Sequence, residues 1–185
     1  MTPQEYVQLK AFARQDGALL SLLWIGALVC YVQGLTNPLL GMVALVLIVI
    51  SPFYAANRLR HFRDGAREGV ISFGRGYAYT VLTFFYAGLL LALALYVYFA
   101  FIDKGYLLGH FTNIINSEEG RQVLKMYGMA EQQVKDGLHE LALMRPIDYA
   151  LNMLTVNITA GFVLGLPIAA LSQRQAATSD QSPTP

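Results

Sequence analysis

Charged residues are scarce in this sequence. They make up 14% of its 185 residues, whereas a soluble domain carries about 25%. The shortage is uneven, because charge is missing from four long apolar blocks and is concentrated between them. This pattern excludes an ordinary soluble domain and predicts segments that face lipid.

Groups that carry chemistry in other proteins are also rare. The single cysteine, Cys30, lies in an apolar block, so it allows no internal disulfide and no cysteine-based metal site. The net charge of +1 argues against nucleic acid as a partner, which would need a basic face. His139-Glu140 resembles the start of a zinc-protease helix, but Leu143 stands where the second histidine is required. We therefore expect no metal, no cofactor and no catalytic residues.

Each of the four apolar blocks is long enough to cross a hydrocarbon core of about 30 Å at 1.5 Å per residue. They run from about 17 to 35, 39 to 54, 77 to 102 and 146 to 171. The sequence therefore predicts an all-α polytopic membrane protein, a four-transmembrane-helix bundle within a single membrane domain over residues 1–172. Residues 173–185 are rich in Ser, Thr, Gln and Pro, and we expect them to form a disordered tail.

Lysine and arginine are concentrated on one side of the predicted bundle. The linker between spans two and three contains Arg58, Arg60, Arg63, Arg67 and Arg75. The turn between spans one and two has no charge, and the basic residues of loop 103–145 are outnumbered by Asp and Glu. Because cytoplasmic loops carry the excess of Lys and Arg, both termini are predicted to be cytoplasmic.

The segments outside the spans carry helical patterns. Residues 3–14 place apolar side chains at helical intervals, which predicts an amino-terminal interfacial helix that leads into span one. In loop 103–145, Ser117 can cap a helix over 118–127, and a second helix is expected over about 130–144. Together these predict a helical extracytoplasmic cap.

The linker and the end of span three carry a recognisable motif. Arg63-Asp64 is followed by Gly-Val-Ile-Ser-Phe-Gly-Arg-Gly over residues 69–76, and span three ends in Phe-Ile-Asp at residues 101–103. In these residues and in its four-span plan, the chain resembles the small Bacteroidetes membrane proteins grouped as domain-of-unknown-function family 4199. The resemblance implies a bacterial inner membrane and no known activity. It also implies an association with glycosyltransferases of the polyprenyl-phosphate sugar type, which are often encoded beside members.

The last span has two patterned faces. One is a polar stripe of Asp148, Asn152, Thr155 and Thr159; the other is a small-residue face of Asn157, Gly161, Gly165 and Ala169. Small residues at every fourth position let helices pack closely. The polar stripe is open to two interpretations, because it could bond to a neighbouring helix or form a groove for a substrate head group.

The linker arginines also have two interpretations. Arginines at the inner surface can hold a lipid phosphate or a partner, or they can simply fix the topology. With no catalytic group in view, the chain is more readily a non-enzyme than an enzyme. We expect a non-enzymatic accessory or scaffold subunit of a membrane enzyme that builds the envelope or lipid-linked glycans.

The expected partners are the bilayer, an anionic or polyprenyl-phosphate lipid and a membrane-associated glycosyltransferase. Self-association is a further option. The alternative function is a small transporter or lipid flippase whose path is the polar stripe of the last span.

Overall fold

A computed structural model describes residues 2–174. Within them the chain forms α1 (Pro3–Gly34), α2 (Pro38–Ala66), α3 (Phe73–Val97), α4 (Tyr106–Asn116), α5 (Glu118–Met126), α6 (Glu131–Leu143) and α7 (Pro146–Ser172). A π-helical segment, Tyr98–Ile102, prolongs α3. Helices α1, α2, α3 with its π-helical segment, and α7 are long and apolar enough to cross a membrane, which confirms the four predicted spans. The predicted tail lies outside the described residues from position 175 onward.

The amino-terminal segment is helical and leads into span one, as predicted. It forms the beginning of α1, a continuous helix of 32 residues. A capping box between Thr2 and Glu5 starts this helix. Leu9 and Ala13 are buried in the core, so the apolar face of the segment packs against the protein.

Helix α2 is longer than the predicted second span. It continues past Tyr54 to Ala66, and its last turns bury Leu59 and Phe62. The residues after Tyr54, which the sequence predicts to be linker, thus form the end of a helix, and the true connection to α3 is the short segment 67–72. We call the end of the bundle that contains this connection the inner end, and the opposite end the outer end. Arginines alternate with the buried residues there because the opposite face of the helix remains accessible to polar partners.

The four long helices are arranged in the order α2, α1, α3, α7. The extensive interfaces are those of α3 with α7, α1 with α2, and α1 with α3, whereas α2 has much smaller contacts with α3 and α7. Helices α1 and α2 approach closely at their outer ends, where a Cβ on Gly34 would lie 2.5 Å from the backbone nitrogen of Gly41. The order leaves much of α2 facing outward.

Aromatic rings fill the inner end of the bundle. The Phe62 ring lies 5.1 Å from that of Phe12, and it stacks on Tyr79 at 5.0 Å with an interplanar angle of 13°. Higher in the bundle, Trp24 meets Phe84 edge to face at 5.5 Å. Such pairs add to the burial of their apolar area. The rings of Phe12, Phe62 and Tyr79 join α1, α2 and α3 at the end where these helices carry their charged residues.

The three cap helices, α4, α5 and α6, contact chiefly one another. Gly120 and Leu124 are their only buried residues within the described part of the chain. Tyr149 of α7 donates a hydrogen bond to the Leu141 carbonyl and attaches the cap to the last span. Lys135 lies 2.5 Å from Glu131, and this hydrogen bond holds the pKa of Glu131 below its usual range. The cap is therefore an exposed layer tied to the outer end of α7.

Candidate functional site

Three polar side chains from three helices meet inside the inner half of the bundle. Asp16 of α1 is 1% exposed, and Arg58 of α2 donates from Nε to its Oδ1 at 2.6 Å. Tyr79 of α3, fully buried, donates its hydroxyl to the other carboxylate oxygen. We call Asp16, Arg58 and Tyr79 the buried triad. Asp16 lies about 27 Å along α1 from Gly34, at 1.5 Å per residue, so the triad is far from the turn that joins α1 to α2.

The triad saturates its carboxylate. Both oxygens of Asp16 accept hydrogen bonds from within the chain, and the Arg58 guanidinium neutralises the charge. Charge-assisted bonds of this kind are stronger than neutral ones. The triad therefore acts as an internal clasp across α1, α2 and α3. It offers no free base or nucleophile to a substrate.

Sequence reasoning missed Asp16, although a signal was present. Leu9, Ala13, Leu20 and Trp24 are buried at helical spacing along α1, and Asp16 lies on that same face. A carboxylate within an apolar helical stripe requires a buried partner. Because residues before Gly17 were assigned to a segment outside the membrane spans, Asp16 was not considered as part of a span.

Most of the linker arginines are engaged within the chain. Arg67 lies 2.8 Å from Oε1 of Glu5, and Arg75 lies 2.9 Å from Oε2 of the same side chain. Arg63 forms a double hydrogen bond with Asp64 at 2.7 and 3.0 Å. Together with Arg58 in the triad, four of the five predicted phosphate-binding arginines thus have carboxylate partners.

Arg60 differs from the other linker arginines, because it is exposed and makes no ion pair or side-chain hydrogen bond within residues 2–174. The predicted cluster for a lipid phosphate is therefore not brought together as a set of free cations. Arg67 and Arg75 instead connect the linker to Glu5 at the start of α1.

The end of α7 is joined to the same region. Arg63 donates to the Ser172 carbonyl at 2.9 Å. Ile71 and Arg174 exchange two backbone hydrogen bonds of 3.0 Å each, and the Ile71 side chain is buried. The amino end, the linker and residues up to 174 thus form one connected layer at the inner end of the helices.

The small-residue face of α7 lies against α3. A Cβ on Gly161 would approach Phe84 Cβ to 2.7 Å, and one on Gly165 would lie 3.1 Å from the Tyr77 ring. Asn157 is buried where its Cβ lies 3.0 Å from the position a Cβ on Gly88 would take. Ala169 is fully buried. The structure therefore places all four predicted packing residues at the α3–α7 interface, with glycines where the backbones are closest.

The polar stripe of α7 points the other way. Asn152, Thr155 and Thr159 are exposed, and Asp148 is partly exposed at the first turn, where Arg145 contacts it at 3.0 Å. At 100° per residue, these positions lie on the side of the helix opposite Gly161. The stripe thus faces away from α3, and it lines no path through the interior of the single chain.

The family assignment rests on most of the chain. The model of the family described as "Protein of unknown function (DUF4199)" matches residues 17–174. The chain belongs to this family. Neither the curated proteins nor the solved structures contain a match. The resemblance inferred from the linker motif is thereby confirmed as family membership, and the match covers nearly all of the four spans.

The structure gives physical roles to the linker motif of this family member. Gly69 has φ +81°, a conformation that favours glycine, and it follows Glu68 at φ +52° in the turn between α2 and α3. Gly76 packs against Ala169, so α3 and α7 meet closely at their inner ends. Arg75, between the two later glycines, reaches Glu5. The motif thus shapes a turn that closes the inner layer.

Proposed function

We propose that this chain is a non-enzymatic accessory subunit that docks a membrane enzyme through the outward polar stripe of α7. The observation that carries the proposal is the direction of Asn152, Thr155 and Thr159, which are exposed on a membrane-spanning helix. Polar residues within spans normally face a bundle interior or a water-filled cavity. In this proposal, a helix of another protein packs against the stripe and buries these polar side chains.

Most charged groups at the inner end support an accessory role because they bind one another. The buried triad uses Asp16, and the inner layer uses Glu5 and three arginines. These contacts stabilise one arrangement of helices and leave the stripe of α7 as a polar surface at membrane depth. A rigid bundle with one outward polar face suits a docking subunit.

We further propose that the partner builds the envelope or lipid-linked glycans, with a polyprenyl-phosphate glycosyltransferase as the leading candidate. The support is the association with such enzymes that the linker motif implies. In this proposal the inner membrane of a bacterium is the location, and the partner contributes the catalytic groups.

The docking stripe can be tested by substitution and affinity purification from native membranes. Asn152→Leu with Thr155→Val and Thr159→Val should weaken co-purification of the partner by about twentyfold, since each interhelical polar contact contributes ~0.6 kcal/mol. The matched control is Leu45→Val with Ile48→Val on the outward face of α2, where both side chains are exposed and apolar. Equal recovery of the partner with both variants would contradict the proposed docking face.

A small transporter or lipid flippase is the second candidate, and the same stripe favours it. The polar side chains of the stripe extend from Asp148 at the outer end of α7 to Thr159 at its middle, so a lipid head group could follow them along the protein surface. This candidate requires contact with lipid head groups at Thr155 and Thr159, whereas the docking proposal requires contact with a protein helix.

Both candidates place the amino end and the linker in the cytoplasm, as the distribution of Lys and Arg indicates. A cysteine replacing the exposed Arg60, in a chain with Cys30→Ser, should react with a membrane-impermeant thiol reagent only in inside-out vesicles. A cysteine replacing Met126 in the exposed cap should react only in right-side-out vesicles. The opposite pattern would overturn the orientation.

A further inference from the structure

An apolar groove of about 350 Å³ runs between α1 and α3 on the outside of the bundle. It is lined by Ala18, Ser21 and Ile25 of α1 and by Leu90 and Ala94 of α3. Leu22 and Leu93 form its rims, with 64% and 60% of their surfaces exposed. The Ser21 hydroxyl bonds to the Ala18 carbonyl, so its polarity is satisfied within the helix. The groove therefore presents a hydrocarbon surface that opens toward the membrane.

Two cations lie at the inner end of this groove. Lys10 and Arg14 precede Ala18 by two turns and one turn, so all three occupy one face of α1. Arg14 is exposed and makes no ion pair or side-chain hydrogen bond within the described residues. Lys10 lies 4.8 Å above the Tyr6 ring, a contact that leaves its charge uncompensated.

Nearby carboxylates have other partners. Glu5 binds Arg67 and Arg75, and Asp16 binds Arg58. On α3 the only charged residue is Arg75. The inner end of the groove is therefore basic, with no carboxylate of α1 or α3 available to neutralise it.

We infer that the groove binds an anionic phospholipid of the leaflet on the amino-terminal side, with its phosphate at Lys10 and Arg14 and an acyl chain between α1 and α3. The charge complementarity is specific to this end of the groove. From Ala18 to Ile25 the groove follows α1 for about 10 Å at 1.5 Å per residue, and it continues the line of the two cations. Long basic side chains at such a depth extend toward lipid phosphates. This site is separate from the linker arginines, four of which bind carboxylates.

The inference is tested by native mass spectrometry of the full chain released from nanodiscs that contain equal amounts of phosphatidylglycerol and phosphatidylcholine. The wild-type chain should retain phosphatidylglycerol preferentially. Lys10→Gln with Arg14→Gln should reduce that preference about thirtyfold, the ratio expected for two basic residues at an anionic surface. Equal retention of the two lipids by the wild-type chain would overturn the inference.

Matched variants separate this site from general charge effects. Arg60→Gln removes another exposed, unpaired arginine and should leave the preference unchanged. Ala18→Phe fills the groove and should reduce retention, whereas Ala170→Phe, at an exposed position of α7, should not. Circular dichroism and thermal melting must show that each variant is folded as the wild type. Loss of retention with Arg60→Gln, or full retention with Ala18→Phe, would contradict binding in the groove.

Discussion

Asp16→Asn should lower the free energy of unfolding by about 2–3 kcal/mol in detergent micelles. Breaking a buried ion pair by removing one partner costs about 3–5 kcal/mol, and the 29% exposure of the Arg58 side chain reduces that value through solvent screening. The substitution leaves the guanidinium without its counter-charge, and the Tyr79 hydroxyl loses an ionised acceptor. The measurement is thermal or denaturant-induced unfolding followed by circular dichroism.

The double variant Asp16→Asn with Arg58→Gln completes a thermodynamic cycle. Because the second substitution removes the uncompensated charge, the double variant should be more stable than the sum of the two single effects predicts. Arg60→Gln, two positions along α2 and exposed, is the control and should change stability by less than about 0.5 kcal/mol. Additive effects of Asp16→Asn and Arg58→Gln would contradict the clasp.

Gly161→Ala should destabilise the chain by about 1–3 kcal/mol, the usual cost of adding a methyl group to a filled interface. The new Cβ would lie 2.7 Å from Phe84 Cβ, which is closer than carbon atoms approach, so α7 would have to move away from α3. Unfolding in detergent followed by circular dichroism gives the change in stability. The same methyl group improves intrinsic helix propensity, which raises stability. The observed loss of stability is therefore the steric cost minus this gain.

Gly26→Ala provides the matched control for this position. Gly26 also lies within a membrane-spanning helix, but no atom of a neighbouring element lies within 4 Å of the Cβ that the substitution adds. Its stability should therefore be unchanged or should rise by up to about 1 kcal/mol from helix propensity. Equal effects of Gly161→Ala and Gly26→Ala would show that the α3–α7 contact is looser than the structure indicates.

The architecture could be predicted because span length and the lack of charge are local properties of the sequence. The four apolar helices follow from blocks that are long enough to cross lipid. In the structure α2 and α7 begin at Pro38 and Pro146, a residue that is favoured at the first position of a helix. The length of α2 could not be predicted in the same way, because Leu59 and Phe62 are buried by helices that come from distant parts of the chain.

The pairing of charges was beyond sequence reasoning for a similar reason. Glu5 lies 62 positions from Arg67 and 70 from Arg75, and only the fold brings these side chains together. A cluster of basic residues in the sequence has the same composition whether each member meets a lipid or a carboxylate. Asp16 was not identified from the sequence, because it lies on an apolar helix face and not within a cluster of charged residues.

The two faces of α7 show what the spacing of residues in the sequence can predict and what it cannot. Spacing alone placed Gly161 and Thr159 in different stripes, and small residues predicted the face that packs. Whether the polar stripe is buried or faces outward depends on which helices surround α7. Since α3 alone makes an extensive interface with it, the stripe is left on the outside.

The most direct test of the docking proposal is photo-crosslinking in native membranes from position 155. A photoreactive amino acid replacing Thr155 should give a crosslink to a discrete membrane protein, whereas the same residue replacing the exposed Ile48 of α2 should give crosslinks to lipid only. Crosslinks to lipid alone from both positions would contradict an accessory subunit that docks through α7.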